Sequence, residues 1–335
     1  MTTPALGRLR DCFPKARITL LATPLVARLC SPHPWVDEVL VYQRQGHHRG
    51  LSGRLRLTAE LRRRRFDMAV LFPNSFDAAL PPWLARIPRR IGFRNDGRGL
   101  LLNLGVPPLP KSGVTHQSRN YLTLLDQVGL TGRIRPQTLA VTAAEEAWCS
   151  ETLQRAEIGP QDLFLGINPG ATYGSAKRWY PERFAAVGDM LAQRWGVKVV
   201  ITGGPDEAAI AEEIARTMTR PTLNLAGKTD VRQLLAIIKR CNFFITNDSG
   251  PMHLAAALKV PLVAIFGPTD HTTTYPLADH ALVVRQNVDC SPCLKRVCPI
   301  DHRCMTRVTP EQVVLAAEKL RQQVEAPRSE LNRTL

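Results

Sequence analysis

Long apolar runs are missing from this sequence. No stretch approaches the ~18 consecutive apolar residues of a membrane-spanning helix, so an integral membrane protein is not expected. The segment Met1–Arg10 has no apolar core of the kind that drives export, so no signal peptide is expected either. Cysteine is sparse, at eight in 335 residues. That is too few for a disulfide scaffold, and without an export signal the thiols are expected to be reduced in the cytosol. Aromatic residues make up only 6%, which leaves few rings to stack on bases. With no recognisable nucleic-acid module, nucleic acid is not an expected partner.

Acidic residues are scarce in one half only. Residues 1–140 hold 22 basic and 8 acidic side chains, a net of +14, while residues 141–335 hold 22 and 21, a net of +1. So uneven a split suggests two halves with different partners. A basic half attracts nucleic acid, an anionic membrane surface or a phosphorylated substrate. The length fits about two domains of ~150 residues, with a boundary expected near residue 150, giving 1–150 and 151–335. Hydrophobic content of 44% is that of a folded globular chain. No internal repeat is visible.

Both halves alternate strand-like and helix-like segments, the pattern of parallel α/β sheets. In the first half, residues 18–22, 36–42 and 68–72 read as short strands. Leu51, Leu55, Leu57 and Leu61 read as the apolar face of a helix over 51–65, with arginines on the other face. In the second half, strands are expected at 163–167, 197–202, 242–246 and 262–266. Helices are expected at 181–195, 231–240 and 252–258, with a last helix from Thr309-Pro310 to about Val324 and a frayed tail beyond Pro327.

Four constellations could carry chemistry. The first is Asn247-Asp248-Ser249-Gly250-Pro251-Met252-His253, at a strand-to-helix junction. Free N–H groups and the positive dipole end of such a helix suit a diphosphate, and Asp248 could accept hydrogen bonds from sugar hydroxyls. The plainer reading is that Asp248 or Ser249 caps the helix and His253 is structural. The second is Asn168-Pro169-Gly170-Ala171-Thr172 followed by Lys177-Arg178-Trp179, again after a strand. Its hydroxyl and ammonium suit the same diphosphate; the alternative makes Lys177 and Arg178 surface charges and Trp179 a core anchor. The third, Gly203-Gly204-Pro205-Asp206-Glu207, is weak by itself. The fourth is Cys290-x2-Cys293-x4-Cys298-x5-Cys304, with His302 nearby. Such density fits a structural metal such as zinc, while disulfides and reduced packing thiols remain alternatives. Cys12, Cys30, Cys149 and Cys241 read as isolated core residues.

Together, N-P-G-A-T with A-K-R-W, the G-G-P-D-E turn, N-D-S-G-P-M-H-L-A-A-A-L and V-A-I-F-G-P-T-D resemble the lipopolysaccharide heptosyltransferases of glycosyltransferase family 9. The resemblance extends to L-F-P-N-S-F at 71–76 and R-R-I-G-F at 89–93, and is most specific over 165–270. It implies the GT-B fold of two Rossmann-like domains facing a central cleft. The second domain would hold ADP-heptose. The first would hold the acceptor, the Kdo-bearing lipid A inner core, at the cytoplasmic face of an anionic inner membrane. It implies an inverting transfer with no cofactor in catalysis. Thr172 and Lys177 match the family's phosphate contacts, and Asp248, Ser249 and Gly250 its heptose and diphosphate loop, with His253 behind. Asp206 or Glu207 matches a carboxylate near the ribose.

The resemblance departs at the start. Family members open with a strand and a Gly-Asp loop leading into M-T-T-P-A-L, and here Met1-Thr2-Thr3-Pro4-Ala5-Leu6 comes first. The first strand of the N-terminal domain is therefore expected to be missing, together with the Asp that resembles the catalytic base. The catalytic residue stays unassigned, with Asp77 and Asp96 as substitutes to consider. The readings left open are a late start codon or a non-catalytic nucleotide-sugar-binding remnant. A nucleotide-sugar epimerase of related fold is the rival enzyme.

Overall fold

The structure is a computed structural model and describes residues 1–109 and 115–331. The chain divides into two compact units, Met1–Pro136 and Gln137–Leu335. The boundary lies earlier than residue 150, because the helix Ala143–Arg155 belongs wholly to the second unit. A capping box starts this helix: Thr142 accepts from the Glu145 N–H, and the Glu145 carboxylate accepts from the Thr142 N–H. The same carboxylate takes both the Nε and an Nη of Arg232 at 2.6 Å, which ties the helix to its own unit.

The second unit is built on one parallel sheet. Its strands are β6 (Phe164–Asn168), β7 (Lys198–Ile201), β8 (Thr222–Asn224), β9 (Phe243–Asn247), β10 (Leu262–Phe266) and β11 (Ala281–Arg285). The first unit supplies β1 (Thr19–Ala22), β2 (Glu38–Val41), β3 (Met68–Leu71), β4 (Arg89–Phe93) and β5 (Leu104–Val106). The order in the second sheet is β11-β10-β9-β6-β7-β8. Every residue of β6, β9 and β10 is buried, as continuous apolar runs such as Phe-Leu-Gly-Ile-Asn require when helices cover both faces. The chain starts at the centre, winds out one way through β7 and β8, then returns to build β9 to β11 on the other side. The order reverses between β6 and β9, so a crevice opens at their carboxyl ends, where doubly wound sheets bind ligands.

The first unit is put together differently. β1 and β2 form one parallel sheet and β3, β4 and β5 another, with no hydrogen-bonded ladder joining the two among the described residues. β1 and β3 each bury a single residue fully. Ile18, Val70 and Phe72 nevertheless pack into one cluster with Ala5 and Leu9 of the helix Thr3–Cys12 and with Leu122 and Leu125 of the helix Gln117–Asp126.

Two sequence expectations about helices need revision. The helix Gly50–Arg64 forms, but only Leu57 and Leu61 face the core, and Leu51 and Leu55 are exposed at 74% and 55%. At ~100° per residue, Leu55 and Leu57 lie about 200° apart, so the four leucines are two pairs on opposite faces. The last helix continues past Val324 to Leu331, and residues 332–335 of the expected frayed tail lie outside the described residues.

Candidate functional site

The loop after β6 and the loop after β9 converge at the switch point of the second sheet. Two buried asparagines hold them there. Asn247 donates to the Pro169 carbonyl at 2.7 Å and accepts from the Trp179 N–H at 3.1 Å. Asn168 donates to the Thr202 carbonyl at 3.0 Å, joining the same loop to the end of β7. Trp179 is 1% exposed and donates from Nε1 to the Val308 carbonyl, so it is the core anchor of the plainer reading.

Lys177 and Asp248 meet on this frame. The ammonium lies 2.6 Å from Asp248 Oδ2, and the two side chains are 13% and 5% exposed. Thr269 Oγ1, from the loop after β10, donates to the same Oδ2 at 2.6 Å. Asp248 Oδ1 has no hydrogen-bond partner among the described residues and is left to an external donor. The Lys177 ammonium also sits 4.9 Å from the centre of the Tyr173 ring, and the Arg296 guanidinium sits 5.6 Å from it. A cation over an aromatic face is stabilised by the ring's quadrupole, so the tyrosine steadies Lys177 while leaving its remaining donors unspent.

The helix Gly250–Ala257 begins directly after this pair. Neither Asp248 nor Ser249 caps it: the N-cap Ser249 makes no side-chain capping hydrogen bond, and among the described residues no side chain accepts from the first turn. Ser249 Oγ instead lies 3.2 Å from Thr246 Oγ1. Space is open where a Cβ would stand on exposed Gly250. An uncapped helix N-terminus with a small residue and a nearby ammonium suits a diphosphate. Thr172 is exposed on the facing loop with its hydroxyl unspent among the described residues, and His253 sits half-buried one turn into the helix.

Of the two acidic candidates after β7, Glu207 is the one turned inward. Its carboxylate accepts from the Gly204 N–H at 2.8 Å, and a Cβ on Gly170 would lie 1.8 Å from its Oε1. Gly170 therefore has to be glycine for this carboxylate to lie against the loop after β6. Asp206 is exposed. Asp77 and Asp96 of the first unit are both engaged, Asp77 with Arg54 at 2.6 Å and Asp96 with the Phe76 N–H at 2.7 Å.

The cysteine segment does not form the expected metal site. Among the described residues, no group of three or more His, Cys, Asp or Glu side chains is placed to hold a metal. Cys290 and Cys293 are exposed and Cys298 half-buried, while Cys304 turns into the hydrophobic core beside Met305 and Val308. The segment does something else. Its backbone accepts from Tyr173 Oη at the Leu294 carbonyl (2.6 Å) and from the Ala176 N–H at the Arg296 carbonyl (3.0 Å). It also donates from the Cys293 and Leu294 N–H groups to the Pro268 carbonyl. It thus braces the loops that carry Lys177 and Thr269. Asn168 and Asn247 open the two loop motifs read from sequence but were given no role there, and Tyr173 and Thr269 were not singled out. The signal for a holding role of the asparagines was a polar residue closing an otherwise apolar strand.

A doubly wound sheet with an ammonium and a carboxylate paired at its switch point has the architecture of a Rossmann-like unit with its ligand edge at that crevice. The sequence model of glycosyltransferase family 9 (heptosyltransferase) matches residues 54–303. The chain belongs to that family. It is 34% identical over 281 residues to lipopolysaccharide heptosyltransferase 2 of Escherichia coli (strain K12), covering 82% of this chain and 80% of that protein. Among solved structures it is similar to E. coli ADP-heptose LPS heptosyltransferase II, with a TM-score of 0.81 and 29% identity over 97% of this chain and 95% of that one. It is also similar to a family 9 glycosyltransferase of Veillonella parvula, with a TM-score of 0.86 and 26% identity over 95% and 92% of the two chains.

Proposed function

We propose that this chain transfers heptose from ADP-heptose to the inner core of lipopolysaccharide, with inversion at the anomeric carbon. The Lys177–Asp248 pair at the mouth of an uncapped helix carries the reading. In it, the diphosphate lies against the N-terminus of the helix Gly250–Ala257, with Lys177, Thr172 and Ser249 around it. The departing ADP gains negative charge as the glycosidic bond breaks, and a fixed ammonium and helix dipole stabilise that charge more than they stabilise the ground state. Asp248 orients Lys177 through Oδ2 and offers Oδ1 to heptose hydroxyls. Glu207, held against Gly170, takes the ribose, and His253 supports the helix turn from behind. Charge stabilisation by these groups leaves no step that calls for a catalytic cofactor, and we assign no structural zinc.

The first unit takes the acceptor, whose acidic Kdo sugars and phosphates complement its net charge of +14. The enzyme works on the cytoplasmic side, against the inner membrane. Among the described residues, no helix is long and apolar enough to cross a membrane. The acceptor hydroxyl must lose a proton as it attacks, and no residue is assigned to that step. The epimerase reading accounts for neither the basic first unit nor the kinship with heptosyltransferases. The test is transfer of heptose from ADP-heptose to an inner-core acceptor, read by mass spectrometry, in wild type and Asp248→Ala. Transfer in wild type alone supports the reading, and equal transfer by both removes Asp248 from the site.

A further inference from the structure

The solvent face of the helix Gly50–Arg64 has an unusual composition. Between residues 43 and 65 the chain carries eight arginines and one carboxylate, Glu60. Glu60 is paired with Arg64, and Asp77 of the neighbouring helix Phe76–Leu84 is paired with Arg54. Arg44, Arg49, Arg56 and Arg63 are exposed and make no ion pair among the described residues. Leu51 and Leu55 stand among them one helical turn apart, at 74% and 55% exposure. Leucines on an outward face are costly in water and contribute nothing to this unit's core.

The surface is held in shape. His48 is buried, and its Nδ1 accepts from the Gln43 N–H at 3.0 Å, closing the loop that displays Arg44 and Arg49. Gly53 lies so close to this loop that a Cβ there would sit 2.2 Å from the His48 carbonyl carbon. Two rungs, Arg54 to Asp77 and Arg62 to the Leu84 carbonyl, set the helices Gly50–Arg64 and Phe76–Leu84 side by side and running the same way. The loops that enter them, from β2 and β3, therefore lie at one end of the unit. That is the carboxyl end of the strands, where α/β units bind ligands. Phe76, 43% exposed, stands at that end too.

We propose that the loop 43–49 and the first turns of the helix Gly50–Arg64 form a docking surface for an anionic lipid bilayer, with Leu51 and Leu55 entering the headgroup region and Arg44, Arg49 and Arg56 pairing with lipid phosphates. The proposal rests on the acceptor-binding role given to the first unit, since it puts the bilayer beside the edge that would receive a lipid-anchored sugar. Exposed leucines flanked by arginines, with Glu60 and Asp77 both paired to arginines, suit this partner better than they suit a free polyanion. A polyanion would use the charge and leave the leucines in water. A bilayer uses both.

The test is co-sedimentation of the full chain with acceptor-free vesicles of phosphatidylcholine, alone or mixed with phosphatidylglycerol. Binding is expected to the mixed vesicles and to weaken with salt. Each arginine adjacent to an anionic surface contributes about fivefold to partitioning, so Arg49→Gln/Arg56→Gln should lose roughly 25-fold. Leu51→Ser/Leu55→Ser should lose about tenfold or more while keeping its charge. ADP binding by calorimetry checks that each variant is folded. Wild-type partitioning by the leucine variant, or equal wild-type binding to both vesicle types, overturns the proposal. So does binding to a soluble polyanion that the leucine substitutions weaken equally. A de-acylated acceptor in solution separates this idea from the enzymatic one. The Leu51→Ser/Leu55→Ser variant should glycosylate it as wild type does, and failure of the wild type on that acceptor and on the lipid form alike counts against the function.

Discussion

The Lys177 ammonium and Asp248 Oδ2 lie 2.6 Å apart across 71 residues of sequence, at the point where the second sheet reverses its winding. Thr269 closes on the same oxygen at 2.6 Å. Three loops, after β6, β9 and β10, thus share one carboxylate.

Removing the ammonium tests that arrangement directly. Lys177→Ala is expected to weaken ADP binding by ~1.5–3 kcal/mol, the range for a charged hydrogen bond, while leaving Asp248 nearly buried with only Thr269 for a partner. The same variant should therefore also be less stable. Titration calorimetry with ADP and a denaturant melt read the two effects separately. Unchanged ADP affinity would take Lys177 out of the site.

Gly170 and Glu207 should behave as a unit. An added methyl at 170 forces the Glu207 carboxylate off the Gly204 N–H. Because it is the free end of a flexible side chain that moves, Gly170→Ala should cost only about 0.5–1.5 kcal/mol of stability, one lost hydrogen bond. Donor affinity should fall as far as it does in Glu207→Ala, and the double variant should be no worse than either single. Additive losses in ADP affinity would show that the two residues act independently.

Glu145 carries a pH signature. Two Arg232 hydrogen bonds, helped by the Thr142 cap, hold its carboxyl at about 2 against an ordinary 4.5. A depressed carboxyl stabilises the fold fully above its unfolded value, and the contribution drains away as pH falls from about 4.5 towards 2. At neutral pH the contribution is at most about 3 kcal/mol. Glu145→Gln should therefore melt well below wild type at pH 7, with the gap narrowing as pH drops below 4.5. A gap of constant size across that window would mean the carboxyl titrates normally.

The cysteines should separate by burial. Burial pushes the Cys149 and Cys304 thiols up to about 11 and Cys241 higher still. Thiolates do the reacting, so a brief native-state pulse of iodoacetamide should label the exposed Cys290 and Cys293. Cys149, Cys241 and Cys304 should be labelled only after unfolding. Peptide mass mapping reads the pattern, and protection of Cys290 and Cys293 in the native protein would mean that a metal or a disulfide engages them.

Sequence alone determined the central strands of the second unit, β6, β7, β9 and β10, because period and punctuation there are strong; the edge strands β8 and β11 and the helices Ala143–Arg155 and Ala208–Thr217 were not read from it. Runs such as Phe-Phe-Ile-Thr-Asn and Leu-Val-Ala-Ile-Phe suit only strands covered on both faces, and each ends in a glycine-bearing loop at the ligand edge. Thr172, Lys177, Asp248, Ser249 and Gly250 were legible as candidates for that reason. What only the tertiary structure decided is which of them meet. The Lys177–Asp248 contact depends on the order in which strands pair, and pairing order is set by long-range packing that no local pattern encodes. The same holds in reverse for the cysteines. Four within fifteen residues look like one site, yet the chain turns Cys304 into the core and leaves Cys290 and Cys293 in water. Leu51 and Leu55 lie between these cases. Their spacing fixes them on one helix face, and only the packing of Leu57 and Leu61 into the core decides that this face looks outward.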